Sequence, residues 1–397
     1  MSVSKRLVEN EISDVVIIGG GVIGLTIARA LRQRGVREVM LIERGRPGAE
    51  ASWAAGGILA PQVEADHADA FFRLACASRD LYPAFAQSLQ EETGIDVELD
   101  TIGTLCVGFT PEAGEELRRR YEWQASEGLQ VELLSGDEAR RLEPCLSANV
   151  TSALRLPNDF QVENRRLVDA LLSTNKNLGV QLVTDCAVSA LRIEGEKVRG
   201  VETSSGFVAA PIVVVAAGAW SSLIDSPGAP PIEIEPVRGQ MVCFSADSNA
   251  DSNIARHVIF SARGYVVPRR DGRVLAGSTS EHVGFEKCVT DDGIKTIRAM
   301  TREISDAIAA LPMIDSWAGF RPRAKDDLPV FGPCEEVQGL FYATGHYRNG
   351  ILLAPITSEV IANTIVQAVT TVDLTAFSPD RFCVIAGSAD VPSAMSA

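Results

Sequence analysis

Apolar residues near the start of the chain predict a strand, a helix and a second strand. Asp14-Val15-Val16-Ile17-Ile18 is a β-branched run ending at glycine, the pattern of a buried parallel strand. Over 22–34, Leu25, Ala28 and Leu31 return with helical spacing, and Gly35 ends the pattern. Val39-Met40-Leu41-Ile42 reads as a second strand closed by Glu43. Further on, helical patterns cover Ala70 to Glu92 and Glu112 to Glu127. Alternation predicts strands over Ile232 to Phe244, Gly264 to Pro268 and Arg273 to Ala276. A helix is predicted over 291–310, with Pro312 after it.

Between the first strand and helix lies Gly19-Gly20-Gly21-Val22-Ile23-Gly24, a G-x-G-x-x-G turn. Gly19 permits the tight turn, Gly21 lets a pyrophosphate approach the backbone, and Gly24 lets the helix pack close to the sheet. The free N–H groups and dipole of the helix start favour an anion. Glu43 stands 19 residues after Gly24, where an acid accepts hydrogen bonds from an adenosine ribose. A glycine turn in some other α/β protein is the plainer alternative; the flanking elements and the acid favour a dinucleotide.

The turn alone does not separate FAD from NAD. FAD is favoured because there is a single such turn, which disfavours a reductase holding both cofactors. The small-residue stretch Ser52-Trp53-Ala54-Ala55-Gly56-Gly57-Ile58-Leu59-Ala60-Pro61 also suits backbone passing close to a flat ring. A second glycine-rich stretch, Gly345-His346-Tyr347-Arg348-Asn349-Gly350-Ile351-Leu352-Leu353-Ala354-Pro355, precedes a helical pattern.

Together with Trp317-Ala318-Gly319-Phe320-Arg321-Pro322, these stretches resemble the D-amino acid oxidase (DAO) family of flavoproteins. Within it they most resemble the glycine oxidases associated with thiazole formation in thiamine biosynthesis. The resemblance runs from about residue 14 to 370. It implies an α/β fold: a Rossmann-like FAD-binding domain of the glutathione-reductase type and a substrate domain with a mixed or antiparallel sheet. We expect a discontinuous FAD domain (1–61, 151–229, 326–375), a substrate domain (62–150, 230–325) and a tail over 376–397. Residues 1–10 are expected to be loose.

The resemblance also assigns residues. FAD contacts are expected at Gly19, Gly21, Val22, Ile23, Gly24, Glu43, Arg44, Ala51, Ser52, Gly56, Gly57, Ile58, Val188 and Gly218. The loop His346, Tyr347, Arg348, Asn349, Gly350, Ile351 and Leu352 would wrap the ring, with the following helix aimed at its pyrimidine edge. Val213 to Trp220 would return the chain to the nucleotide. Arg321 would clamp the substrate carboxylate, Tyr265 would meet it with its hydroxyl, and Arg348 would join them. A surface salt bridge is the plainer reading of Arg321, a packed aromatic that of Tyr265 and a loop support that of Arg348. His346 is expected to act through its backbone. With no cysteine between Phe320 and Lys325, FAD is expected to be non-covalent.

The implied reaction is oxidative deamination of glycine to glyoxylate, ammonia and hydrogen peroxide, by hydride transfer from Cα to flavin N5 and reoxidation by dioxygen. No acid–base side chain is needed for it. The alternatives are a D-amino acid or sarcosine dehydrogenase or oxidase, and the glycine-oxidising subunit of cyanide formation. Glu50-Ala51-Ser52-Trp53 departs from the small hydroxylated residues of related glycine oxidases. Trp53 would sit either at the pocket mouth or beneath the ring.

Composition narrows the partners. A net charge of −15 argues against nucleic acid, and with it against an RNA-modifying flavoprotein. A binding-only flavoprotein is the remaining rival, distinguished by whether any substrate reduces the flavin. None of the eight cysteines forms a CxxC pair and the four histidines are scattered, so no metal site or disulfide framework is expected. The apolar run Val15 to Ala30 is broken by glycines and too short for a bilayer. A cytoplasmic homo-oligomer is expected, a tetramer by resemblance.

Overall fold

The structure is a computed structural model, and it describes residues 13–245 and 254–383. The expected loose start and most of the expected 376–397 tail lie outside the described residues.

Six strands form one sheet in the order Val330–Pro333, Leu340–Thr344, Ile212–Val215, Val15–Ile18, Val39–Ile42 and Gln181–Val183. All neighbours run parallel except the edge strand Val330–Pro333. Strands apolar on both faces require cover on both sides. Val15, Ile17, Val39 and Leu41 pack against the helices, including Val22–Gln33, Asn164–Asn177 and Gly350–Ile365. Val16, Ile18, Met40 and Ile42 pack instead against a three-stranded antiparallel sheet spanning 188–209.

Helix Ala70–Thr93 packs against helix Gly350–Ile365. Pro355 lacks an N–H, so the Ile351 carbonyl one turn earlier is left for another donor. The Tyr82 hydroxyl supplies it, and Ser78 Oγ donates to the Leu352 carbonyl at 2.6 Å. This helix falls within the segment 62–150 expected in the substrate domain. Its apolar face instead completes the helical cover of the parallel sheet.

A second sheet has eight strands, in the order Met313–Ala324, Ile234–Ser245, Arg273–Gly277, Gly264–Pro268, Val258–Ser261, Thr104–Gly108, Ser152–Leu156 and Glu132–Ser135. Its neighbours are antiparallel except Val258–Ser261 with Thr104–Gly108. Ser152–Leu156 falls within the segment expected in the FAD domain, but it pairs with strands of this sheet on both sides.

One face of the eight-stranded sheet, with Val242, Val266 and Ala276, packs on Ile297 and Met300. The other presents Met241, Tyr265 and Trp317 to Trp53, Ala54 and Ile58. The single helix expected over 291–310 is two, Asp291–Ile304 and Asp306–Ala309. Ser305 separates them in an extended conformation, and its hydroxyl accepts from Ile308 N, capping the second helix.

Candidate active site

A cleft of about 530 Å³ runs between the two sheets, from Glu43 and Val188 to Tyr265 and Arg321. Every residue expected to touch FAD or substrate lines it, except Gly24 and Leu352. Gly24 instead sits against the first strand: a Cβ there would stand 2.0 Å from the Gly19 carbonyl oxygen. Its role is close packing of helix on sheet. Leu352 is buried in the core beneath the loop.

The cofactor end can be tested for fit. Gly19 takes φ +108°, which an L side chain resists, and a Cβ there would meet the Ala216 carbonyl oxygen at 2.4 Å. Gly21 is the residue before the first helix and has no side chain to cap it, so the opening amides lie at the cleft. Ser52 Oγ accepts from Val22 N at 2.9 Å, fixing the segment 51–58 to that helix start. Glu43 is oriented by two amides, Gly20 N at 2.7 Å and Gly45 N at 2.9 Å. A carboxylate has further acceptor sites, so ribose hydroxyls find free lone pairs there. Arg44 stacks on Trp220 at 3.5 Å and pairs with Glu50 at 2.9 Å. These features suit a dinucleotide with its pyrophosphate at the helix start.

The loop at 346–349 is pinned by its backbone. Tyr347 N donates to the Pro322 carbonyl at 2.8 Å, and Asn349 N to the His346 carbonyl at 2.8 Å. His346 stacks near Phe331 with its Nε2 3.1 Å from Thr357 Oγ1. Burial drives its pKa from 6.5 down to about 3, so it stays neutral. Gly350 and Ile351, which open the closing helix, line the cleft.

At the other end, Arg321 Nη1 donates to the Thr279 carbonyl at 3.0 Å and Nη2 to Ser278 Oγ at 2.5 Å. The Tyr265 hydroxyl lies 3.4 Å from the same Ser278 Oγ. Ser278 thus joins the two groups expected to hold a carboxylate. Burial works against the Arg348 charge, but Glu64 foremost, then Tyr347 and Tyr265, outweighs it and raises the pKa. Three donors of the expected type therefore share one end of the cleft.

Trp53 does not line the cleft. It packs edge-on against Trp317 with ring centroids 5.6 Å apart, and Arg165 stacks on it at 3.6 Å. Its packing is with Trp317 and Arg165, away from the cleft lining, so it takes neither the pocket mouth nor a place against the ring.

Sequence reasoning missed Ser278, because a serine after a strand carries no distinguishing pattern. It also missed Gly239, for which a signal existed: glycine inside the long alternating run 232–244 marks close approach.

Comparison with known proteins agrees with this geometry. Residues 14–364 match the family described as DAO, FAD dependent oxidoreductase. The glycine oxidase of Pseudomonas aeruginosa is 36% identical over 350 residues, covering 88% of this chain and 93% of that protein. The bifunctional protein ThiO/ThiG of Trichormus variabilis is 35% identical, over 93% of this chain and 55% of that protein. The crystal structure of glycine oxidase from Geobacillus kaustophilus superposes with a TM-score of 0.88 at 34% identity, covering 94% of this chain and 99% of that one. The glycine turn, the Glu43 site and the matched span together place this chain in the DAO family of FAD-dependent oxidoreductases.

Proposed function

We propose that this protein oxidises the amine of a small amino acid, glycine foremost, with FAD as cofactor and dioxygen as acceptor. The observation that carries the reading is the pairing of Arg321 and Tyr265 through Ser278 at one end of the cleft. Glycine oxidase relatives of similar length support it.

Glycine offers a carboxylate, an amine and no side chain. Arg321 holds the carboxylate with its two-pronged guanidinium, and the Tyr265 hydroxyl donates to the same group. Arg348 adds a second positive charge to the cleft lining. A bound FAD would supply the two-electron acceptor for the substrate Cα–H. The residues named here orient and desolvate the substrate, and none is asked to carry a proton. The first-helix amides, Glu43, the 51–58 segment and the 346–351 loop would hold FAD. The nucleotide and substrate parts proposed from sequence, service to thiazole formation, assembly as a homotetramer and a cytoplasmic setting belong to the same proposal. Among the described residues no helix is long and apolar enough to cross a membrane.

The test is peroxide release in air across glycine, sarcosine, D-alanine, D-proline and L-proline. Glycine or sarcosine should give the highest kcat/KM. A preference for D-alanine or either proline, or no peroxide from any of them, would overturn the reading.

A further inference from the structure

Arg269 follows the strand that carries Tyr265 and is 5% exposed. Its guanidinium donates to the Gly56 carbonyl at 2.9 Å and the Val162 carbonyl at 2.8 Å. It also donates to Gln161 Oε1 at 3.2 Å and Asn164 Oδ1 at 3.1 Å. All four acceptors are neutral. Among the described residues no carboxylate forms an ion pair with it, and the nearby Glu163 is taken by Arg273 at 3.0 Å. Its Nε is buried without a partner. Burial lowers its pKa, with nearby Glu163 opposing that, but a guanidinium starts so far above neutrality that it keeps its charge, so the fold buries a positive charge with no direct counter-ion.

Its position explains what that charge accomplishes. Gly56 and Gly57 line the cleft, and a Cβ on Gly57 would stand 3.1 Å from Arg269 Nη2. The guanidinium therefore stands one residue behind the cleft wall. The hydrogen bonds continue through Asn164, whose Nδ2 donates to the Ser52 carbonyl at 2.8 Å and the Trp53 carbonyl at 3.1 Å. Ser52 Oγ in turn holds Val22 N at the helix start. One connected chain of contacts thus runs from the Tyr265 strand, behind the wall, to the amides at the pyrophosphate end. A Gly56 Cβ would lie 3.4 Å from the Tyr265 ring, so wall and substrate end are in contact across this chain.

We propose that Arg269 is a positioning residue that locks the Gly56–Gly57 wall to the Tyr265 strand and favours negative charge on a flavin lying against that wall. The proposal rests on the flavin occupying the cleft beside Gly56 and Gly57. A fixed, water-excluded charge acts there with little screening and without reorganisation.

The experiment uses the FAD-loaded enzyme and sulfite, which adds to an oxidised flavin to give an anionic adduct. Arg269→Gln should raise the sulfite dissociation constant about ten-fold or more. Arg269→Lys keeps the charge and loses the fork, so it should bind sulfite near the wild-type level while KM for glycine rises. If the glutamine variant does not fold, Asn164→Asp takes its place. It sets a carboxylate against Arg269 and should weaken sulfite binding in the same direction. Unchanged sulfite affinity in whichever of these two variants folds, or unchanged KM in Arg269→Lys, overturns the proposal. FAD titration and anaerobic glycine reduction of the wild type run alongside. Their failure would sink the reading of the site, whereas their success with unaltered variants sinks only the role of Arg269.

Discussion

The Arg321 guanidinium lies over Gly239: a Cβ on residue 239 would stand 2.4 Å from Nη1 and Nη2 and 2.5 Å from Cζ. The two residues sit on paired strands, with Arg321 opposite Val237 and Gly239 opposite Gly319. The absent side chain on one strand is what lets the long side chain of the other lie flat toward Ser278. Gly239→Ala should therefore displace the guanidinium. Steady-state kinetics should show KM for glycine raised at least about ten-fold, as for a lost charge-assisted contact. FAD affinity should stay unchanged.

Arg321→Lys tests the same contact from the other side. An ammonium cannot donate along two parallel lines to a carboxylate. With a charge-assisted hydrogen bond contributing about 1.5–3 kcal/mol, KM should rise about ten- to hundred-fold while the protein stays yellow. An unchanged KM would remove Arg321 from the substrate site.

Gly21→Val separates the cofactor site from the fold. Gly21 has extended backbone at φ −75°, ψ 178°, which valine accepts. A Cβ there would meet only Ser52 Oγ, at an ordinary 3.4 Å. The variant should fold, with a normal circular dichroism spectrum, yet be colourless because the side chain fills the pyrophosphate's approach. A yellow variant would mean the phosphates lie elsewhere.

Asp159 gives a pH dependence. It is fully buried and accepts from Gln62 N at 3.1 Å and Val63 N at 2.9 Å. Burial raises its pKa from 3.8 to about 7 despite those donors. The folded state then binds the proton more tightly than the unfolded chain. Its stabilising contribution is full below pH 3.8 and is lost as pH rises through about 7. Thermal unfolding of Asp159→Asn should show a Tm less dependent on pH between 4 and 7 than wild type, measured against the same buffers.

The parts of this structure legible in sequence are those that local pattern dictates. The strand 15–18, the glycine turn and the helix from Val22 follow from neighbours in the chain, and Glu43 follows from its distance to Gly24. Strands at 234–245, 264–268 and 273–277 were visible through alternation. What pattern cannot carry is pairing between distant segments. Nothing in Ser152–Leu156 announces that its partners are Thr104–Gly108 and Glu132–Ser135. Arg269 and Asn164 meet across 105 positions, and Ser278 gains meaning only once Tyr265 and Arg321 flank it. The break at Ser305 was missed because a serine serves equally as a helix residue and as a cap.

The central claim, that a flavin in this cleft takes electrons from a small amino acid, is tested most directly by mixing the purified yellow protein with glycine in the absence of oxygen. The oxidised flavin absorbance should bleach, and admitting air should restore it with release of hydrogen peroxide. A flavin that stays oxidised with glycine, sarcosine and the small D-amino acids alike would contradict the account.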